Sequence, residues 1–255
     1  MELKLMTLNM WQLPRPFSAH RTIRLRRLKK FVRKADPDII ALQEMWPWTS
    51  VWGLRRLGYY MTADVGLYNT SGLLTLSKFK PKEVIRYKFK KTSHHNLIEW
   101  LAFKGLQKIR FRINGEDVWV LNTHLYNPMQ EWEKRIVGHQ FRILKGFAGS
   151  DTVLLGDLNL DWADFLSLNE DYFIHDGNGM VTTTRQNKYQ NMRFNRLMDS
   201  EFKDDYVLFR PGKFTASWNT KIIKEPLMSD HYPIMTRMKL KKIEMPGGIV
   251  TENNL

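Results

Sequence analysis

The 255-residue chain contains no cysteine. This absence excludes disulfide scaffolds, thiolate zinc sites, iron–sulfur clusters and cysteine nucleophiles. Acidic residues are scarce, because 26 Asp and Glu stand against 40 Lys and Arg and leave a formal net charge of +14. Such a surplus of positive charge favours a polyanionic partner, either nucleic acid or an anionic phospholipid membrane surface.

Long hydrophobic runs are also missing. No stretch of about 18 uninterrupted apolar residues occurs, so we expect no transmembrane helix. The N-terminal sequence MELKLMTLNMW lacks the charged head and the apolar run of a signal peptide. We therefore expect a cytoplasmic monomer, either free or bound peripherally to a membrane.

Short apolar runs alternate with helical stretches, which is typical of one α/β domain. We predict that this domain covers residues 1–240 and that residues 241–255 form a flexible tail. The Asn114-Gly115 pair between two apolar runs predicts a β-hairpin. The predicted strands are Leu3–Leu8, Asp38–Gln43, Leu73–Leu76, Ile98–Phe103, Ile109–Ile113, Val118–Leu121, Thr152–Leu155, Tyr206–Phe209, Phe214–Trp218 and Ile234–Met238, and the predicted helices are Ile23–Ala35 and Met129–Phe147.

Polar side chains suited to catalysis lie at the ends of these strands, where α/β enzymes usually place their sites. One such residue is more often a turn residue than a ligand. However, so many Asn, Asp, Glu and His residues at strand ends are hard to explain as independent turns. The set consists of Asn9, Glu44, Asn122, His124, Asp157, Asn159, Asp205, Asp230 and His231.

The chemistry of this set favours metal-dependent hydrolysis of an anionic ester. Glu, Asp and Asn supply the hard oxygen ligands that Mg²⁺ or Mn²⁺ prefers. No H-x-E, H-E-x-x-H or C-x-x-C pattern indicates zinc. A metal would neutralise phosphate oxygens, one imidazole would activate water, and the other would donate a hydrogen bond to the developing charge.

The ordered motifs LNMW, DIIALQEMW, SGLLTLSKF, NTHL, GDLNL, DDYV and SDHYP resemble the endonuclease/exonuclease/phosphatase superfamily. The resemblance runs from residue 3 to about residue 238. It implies an α/β fold, a four-layer α/β/β/α sandwich of two packed mixed β-sheets flanked by helices. It also implies a metal-dependent phosphodiesterase with Mg²⁺, or alternatively Mn²⁺, as cofactor.

One segment resembles a particular branch, the neutral sphingomyelinases and the inositol phosphosphingolipid phospholipases C. It is LNMWQLPRPFSAHRTIRLRRLKKFV, and the matching residues are Asn9, Trp11, Pro14, His20, Arg21 and Arg24. We expect neither the C-terminal membrane helices of the eukaryotic membrane-bound members nor the signal peptide of the secreted bacterial ones. The resemblance therefore specifies the chemistry more firmly than the substrate.

The resemblance implies a metal site and groups that orient the reactants. Glu44 is the implied metal ligand, with Asn9 and Asp230 in the same coordination sphere. Asp157 and Asn159 would orient the attacking water and the scissile phosphate.

The resemblance also implies an acid–base pair. His231 would be the general base with Asp205 as its carboxylate partner, and Asp204 is the alternative partner. His124 would donate a hydrogen bond to a phosphate oxygen, and Lys104 would bind substrate. Two further candidates carry no firm role: Glu99 and Asn122.

The sequence MWPWTSVWGLRRLGYY begins directly after Glu44. We predict that Trp46, Trp48 and Trp52 lie in a loop at the mouth of the site. Exposed rings there would bind the membrane interface or stack on unpaired bases, and a buried cluster is the alternative. Two basic clusters, at residues 15–34 and 78–91, suit the phosphates of lipid headgroups or of nucleic acid.

Three functions follow from these features. The first is a Mg²⁺-dependent phosphodiesterase of the sphingomyelinase type, which hydrolyses a phospholipid to a phosphorylated headgroup. The second is a nuclease or DNA-repair phosphodiesterase with the same site, which the net charge favours. The third is a binding protein on an inactive scaffold, which the intact set of polar residues argues against.

Overall fold

The computed structural model describes residues 1–13, 17–64, 66–91, 99, 102–175, 179–184, 186–189 and 201–243. The described strands are β1 Glu2–Asn9, β2 Ile39–Gln43, β3 Tyr60–Ala63, β4 Leu74–Ser77, β5 Pro81–Lys88, β6 Gly105–Ile113, β7 Glu116–His124, β8 Thr152–Asp157, β9 Asp205–Arg210, β10 Phe214–Ile222 and β11 Ile234–Lys242. The helices are α1 Arg21–Ala35, α2 Trp48–Trp52, α3 Lys134–Phe147 and α4 Trp162–Asn169, with 3₁₀ turns at Arg55–Leu57 and Glu131–Glu133.

Both sheets mix parallel and antiparallel neighbours. The first has six strands in the order β10-β11-β1-β2-β4-β3, in which β1 and β2 are parallel. The second has five strands in the order β5-β6-β7-β8-β9, in which β7 and β8 are parallel. Each parallel pair lies inside its sheet, so the carboxyl ends of two central strands meet at one edge of each sheet.

The burial of alternate side chains explains the layers. Leu5 of β1 belongs to the core between the sheets together with Val120 of β7. The next residue, Met6, points to the other face and packs in the cluster that contains Leu28 of α1. The second sheet does the same, with its outer face packed in a cluster that contains Phe141 of α3. Since successive strand residues face opposite sides, each sheet is buried on both of its faces. The predicted four-layer sandwich is confirmed.

The Asn114-Gly115 turn joins β6 to β7 as predicted. Its backbone φ values are 50° and 83°, the positive values that a two-residue type I′ hairpin requires. Glycine reaches this region without steric cost, and asparagine is among the few other residues that tolerate it.

Several sequence-based assignments need correction. The predicted strand Ile98–Phe103 is wrong at its described residues, because Glu99 and Ala102 are helical. A short apolar run cannot distinguish helix from strand by periodicity alone. The predicted loop at Trp48 is instead the start of α2. The elements β3, β5 and α4 were not predicted from the sequence.

The C-terminal strand is longer than predicted. Lys241 and Lys242, assigned to the tail, continue β11 and pair with Thr215 and Phe214 of β10. Ile243 follows the strand as the last described residue. Residues 244–255 of the predicted tail and the predicted motif residue Pro14 lie outside the described residues. In the part of the chain that the structure describes, the helices are all too short or too polar to cross a bilayer.

Candidate active site

Strand register brings the predicted site residues together. Asn9 ends β1 beside Gln43 of β2, so that Glu44 follows at the same edge. His124 ends β7 beside Asp157, which ends β8. Asp205 begins β9 directly opposite Asp157. The carboxyl ends of the two parallel pairs and the start of β9 thus place the polar set in one region.

The amide of Asn9 links the two sheets at this edge. Its Nδ2 donates to Oε1 of Glu44 at 3.0 Å and to Oδ2 of Asp157 at 2.8 Å. All three side chains are buried. Glu44 has a left-handed backbone, φ 56°, and so does Asn159 at 47°. Such strain in residues other than glycine persists only where the surrounding structure holds it, often at functional sites.

His231 and Asp205 form a buried pair. Nδ1 of His231 donates to Oδ2 of Asp205 at 2.8 Å, which leaves Nε2 directed to the other side of the ring. Nε2 lies 3.9 Å from Oδ2 of Asp157. The alternative partner, Asp204, instead accepts a hydrogen bond from the hydroxyl of Thr183 at 2.6 Å. The geometry therefore selects Asp205 as the partner of the imidazole.

The buried charges shift each other's proton affinity. Burial lowers the pKa of His231, but the charge and hydrogen bond of Asp205, with Asp157 and Asp230, outweigh it and raise that pKa to about 10. Burial raises the pKa of the Asp157 carboxyl to about 8, Asp205 adds to the rise, and His231 opposes it. The site is thus a dense group of carboxylates in which the imidazole is a principal cation.

His124 and Asn159 complete the group around Asp157. Nε2 of His124 lies 3.4 Å from Oδ2 of Asp157. The backbone N–H of Asn159 donates to Oδ1 of Asp157 at 3.1 Å, and its side chain donates to the carbonyl of Leu125 at 3.0 Å. The Asp157 carboxylate therefore lies within 4 Å of Asn159, His124 and His231.

Asp230 is fully buried and is held by its neighbours. The hydroxyl of Ser229 donates to Oδ1 of Asp230 at 2.9 Å. The amide of Asn187 donates to the carbonyls of Ser229 and Asp230, each at 2.9 Å. Asn187 was not predicted as a site residue, because a lone Asn in a polar stretch carries no recognisable signal.

The donor set fits a divalent metal ion. Asp157, Asp205 and His231 each offer a ligand atom, and these atoms lie within 4.8 Å of one another. Glu44 shares the Asn9 amide with Asp157, so its carboxylate lies in the same region. Carboxylates buried this close together need a compensating cation, and oxygen ligands suit Mg²⁺ or Mn²⁺.

Asn122, one of the other candidates, contacts the strands of the site from inside the core. Asn122 lies between the sheets, where its Oδ1 accepts from Gln43 at 2.8 Å and its Nδ2 donates to Thr75 at 3.2 Å. Gln43 directly precedes Glu44. Asn122 therefore contacts the end of β2 from inside the core.

Lys104 and Glu99 form a buried ion pair of 2.9 Å. Burial raises the pKa of Glu99, and the charge of Lys104 opposes that rise. The Lys104 ammonium also donates to the carbonyl of Leu125 at 2.9 Å, the same carbonyl that accepts from Asn159. Contact of Lys104 with substrate stays a prediction. The hydrogen bond from Lys104 to Leu125 connects Lys104 to the segment directly after His124.

The expectation that Trp46 is exposed at the mouth of the site is wrong. Trp46 is only 8% exposed, and its indole N–H donates to the carbonyl of Ala102 at 3.3 Å. Its ring packs against Gly72, where a Cβ would lie 2.7 Å from the ring. Trp48 is half-buried and stacks on Trp52, which is 55% exposed. Only Trp52 keeps the predicted exposure, because the segment folds into α2 and turns one ring inward.

The chain is similar to known proteins over most of its length. The model of the Endonuclease/Exonuclease/phosphatase family matches residues 6–231. A Drosophila melanogaster protein named "Putative neutral sphingomyelinase" is 23% identical over 279 residues. The match covers 96% of this chain, and the chain spans 62% of the length of that relative.

Solved structures share the fold at lower identity. Sphingomyelinase C from Streptomyces griseocarneus superposes with a TM-score of 0.77 at 21% identity and covers 93% of this chain and 99% of its own. A Staphylococcus aureus beta toxin mutant with bound magnesium ions has a TM-score of 0.74 at 17% identity, covering 92% and 99%. TDP2 of D. rerio, complexed with single-strand DNA product, has a TM-score of 0.72 at 17% identity, covering 93% and 99%.

Proposed function

Because the chain belongs to the Endonuclease/Exonuclease/phosphatase family and is a phosphodiester hydrolase, we propose that it is a Mg²⁺-dependent phosphodiesterase of the sphingomyelinase type. It hydrolyses a phospholipid and releases the phosphorylated headgroup. The observation that carries the chemistry is the buried His231–Asp205 pair beside the Asn9–Glu44–Asp157 network. The names of the Drosophila relative and of the Streptomyces structure support the lipid substrate.

His231 is the proposed general base. Because Nδ1 donates to Asp205, the tautomer that accepts a proton does so at Nε2. Nε2 lies 3.9 Å from a carboxylate oxygen of Asp157, so a water that Asp157 orients is within reach of the imidazole. Asp205 keeps the ring in place and stabilises the imidazolium after proton transfer.

His124 and Asn159 are the proposed phosphate-binding groups. Nε2 of His124 faces the same carboxylate oxygen of Asp157 that Asn9 and His231 approach. A phosphate oxygen placed beside Asp157 can therefore accept a hydrogen bond from His124, and the charge that develops on it is stabilised there. Asn159 is held near the same position by its bond to Leu125.

Glu44 is the proposed metal ligand, with Asn9 and Asp230 in the same coordination sphere. Asp157 shares the Asn9 amide with Glu44 and orients the attacking water beside the metal. A Mg²⁺ ion held there would neutralise phosphate oxygens and would lower the pKa of water bound to it. Its positive charge near the same carboxylates would oppose protonation of His231 and would favour the neutral imidazole that a general base requires.

A surface near the site supports the lipid substrate. Trp52 is 55% exposed and Leu67 is 98% exposed. The two are linked through Trp48, which stacks on Trp52 and donates to the carbonyl of Gly66 at 2.9 Å. We call Trp48, Trp52 and Leu67 the aromatic surface. It adjoins Arg55, whose guanidinium lies 5.9 Å from the Trp52 ring.

The aromatic surface lies at the site end of the first sheet. The backbone N–H of Met45 donates to Gly72, and the side chain of Asn69 donates to Met45 at 3.0 Å. The segment that carries Leu67 is thus bonded to the residue after Glu44. An exposed indole and an exposed leucine near a basic residue suit an anionic lipid interface. We propose peripheral binding of a bilayer through this surface.

The test is a substrate panel with purified protein and Mg²⁺. Sphingomyelin vesicles, plasmid DNA and a phosphomonoester are incubated separately, each with and without EDTA. We expect release of phosphocholine from the vesicles, loss of that activity in EDTA, and recovery with Mg²⁺ or Mn²⁺. Glu44→Gln should require much more metal for the same rate. Full activity in EDTA contradicts the metal assignment.

A nuclease is the second candidate, and the +14 net charge favours it. The basic helix α1 carries an exposed row that suits a phosphate backbone: Arg26, Lys30, Arg33 and Lys34. DNA cleavage by this protein would fall steeply with salt, because each phosphate contact releases counterions. Rapid, salt-sensitive cleavage of the plasmid together with untouched vesicles would replace the lipid assignment with this one.

A further inference from the structure

Arg24 is a fully buried arginine of α1 that the mechanism above does not use. Its guanidinium donates to the carbonyls of Met10, Trp11 and Ala19 and to the hydroxyl of Ser18. Among the described residues no carboxylate forms an ion pair with it within 4.0 Å. Burial lowers the pKa of Arg24 to about 10, and nearby Asp230 opposes this fall. A buried cation is costly, so its presence requires a reason.

The carbonyls that Arg24 binds belong to the turn directly after Asn9. Trp11 has a left-handed backbone, φ 45°, which is unfavourable for a bulky residue. This backbone points the N–H of Trp11 at Oδ1 of Asn9, 3.0 Å away. With its oxygen held, the Asn9 amide presents Nδ2 to Glu44 and Asp157.

Arg24 also contacts the side of the site that carries the base. Its guanidinium lies 4.9 Å from the Trp11 ring and 5.6 Å from the Tyr189 ring. The N–H of Tyr189 donates to the side chain of Asn187 at 3.0 Å. Asn187 in turn binds the backbone of Asp230, the residue before His231. One buried guanidinium thus connects both halves of the site.

We propose that Arg24 is a positioning residue for the hydrolytic site. By binding the Met10 and Trp11 carbonyls at once, it holds the strained turn that directs the Asn9 amide between Glu44 and Asp157. The planar fork of the guanidinium is required, because a lysine ammonium cannot bind the same set of acceptors in fixed directions. The proposal depends on hydrolase activity but not on the lipid assignment.

The alternative role for Arg24 is charge compensation. The positive charge reaches both Asp230 and Glu44 electrostatically. A lysine in place of Arg24 would keep that charge and would preserve activity if charge alone mattered. Arg24→Lys therefore separates the two roles.

The experiment measures turnover on whichever of sphingomyelin vesicles and plasmid DNA the wild type consumes, so a wrong lipid assignment does not affect it. Arg24→Lys should lower kcat by roughly 10- to 100-fold with KM within about twofold, since small misplacements of reacting groups have effects of this size. Titration calorimetry with Mn²⁺ should show weaker binding. Arg142→Lys, at an exposed arginine of α3, is the matched control and should leave both unchanged.

A double-mutant cycle with Asn9→Ala identifies the route of the effect. If Arg24 acts through Asn9, Arg24→Lys should lower kcat less than about threefold in the Asn9→Ala background. Ser18→Ala removes one hydrogen-bond acceptor of Arg24 and keeps the arginine charge. It replaces Arg24→Lys if that variant fails to fold, and it should lower kcat by about three- to tenfold. Wild-type kcat and Mn²⁺ affinity in Arg24→Lys, or full additivity with Asn9→Ala, would overturn the proposal.

Discussion

Asp157 is the residue on which the site depends most. One of its oxygens accepts from Asn9 at 2.8 Å and lies 3.4 Å from His124 and 3.9 Å from His231. The second oxygen accepts from the backbone of Asn159. A single carboxylate thus lies next to the Asn9 amide, both imidazoles and the backbone of Asn159. Its protonation state therefore affects all of them.

The raised pKa values predict how the metal-free protein responds to pH. The folded-state pKa of Asp157, about 8, exceeds its unfolded value, so the folded state binds the extra proton and stability falls as pH rises from about 4 to 8. The pKa of His231 is raised to about 10, so its contribution is complete below about pH 6.5 and is lost towards pH 10.

Urea unfolding in EDTA from pH 5 to 8 measures this effect. The difference in unfolding free energy between wild type and Asp157→Asn should decline with pH by at most about 1.4 kcal/mol per unit, the slope for one proton. A difference that stays constant over that range would show that the Asp157 carboxyl is already ionised in the folded protein.

The His231–Asp205 pair predicts a non-additive loss of activity. His231→Ala should lower kcat by roughly 10²- to 10⁴-fold with folding intact, because proton abstraction is lost. Asp205→Asn should also lower kcat, since the imidazole loses the group that orients it. The double variant should be little worse than His231→Ala, because the two act as a unit. His139→Ala, at an exposed histidine of α3, is the control. Near-native turnover of His231→Ala would refute the assignment.

At the scale of elements, the segment after β2 combines a ligand, a strained turn and a packed ring. Gly72 has φ +69°, and its carbonyl accepts from the N–H of Met45, next to Glu44. The Trp46 ring occupies the space where a side chain at position 72 would lie. Packing of this ring therefore supports the end of β2 that carries Glu44.

Gly72→Ala should destabilise the protein by about 2–4 kcal/mol. The new Cβ meets the Trp46 ring at 2.7 Å, and the positive φ adds strain. Gly58→Ala is the matched control, because Gly58 has φ +81° but a Cβ added there would meet nothing within 4 Å. It should lose only the backbone part, about 1–2 kcal/mol. Urea unfolding of both variants measures the difference, and equal losses would show that contact with Trp46 is unimportant.

At the scale of the whole molecule, exposed apolar side chains lie at both ends of the first sheet. Trp52 and Leu67 lie near the site end of the first sheet, with exposed Arg55 and Arg56 beside them. Tyr60, which is 48% exposed, lies at the opposite end, because β3 begins beside the last residue of β4, Ser77. The two ends of one sheet therefore provide a test surface and a control surface.

The double variant Trp52→Ala, Leu67→Ser should bind vesicles of mixed neutral and anionic phospholipid about tenfold or more weakly, as measured by co-sedimentation. The reason is that two apolar side chains that leave water on binding are lost. Tyr60→Ala should sediment like the wild type. Hydrolysis of a small soluble phosphodiester should be unchanged in both, because it needs no interface. Unchanged sedimentation of the double variant would exclude the aromatic surface as the membrane contact.

Local patterns in the chain predicted much of this molecule. The apolar runs predicted most strands, the Asn114-Gly115 pair predicted a hairpin, and the polar residues after those runs marked the site. These features are legible in sequence because each depends on neighbours a few residues apart. Strand ends could be associated with function because carboxyl ends of parallel strands meet at one edge.

Other features depend on residues far apart in the chain, and only packing determined them. The family resemblance implied Asp205 as the partner of His231 and left Asp204 open. Packing excluded Asp204, because successive residues entering a strand face opposite sides and the pairing with β8 sets which one points inward. Trp46 is buried because Gly72 leaves room for its ring. Asn9 reaches Asp157 across 148 positions of sequence. No local pattern specifies such contacts, since they join residues that only the tertiary fold brings together.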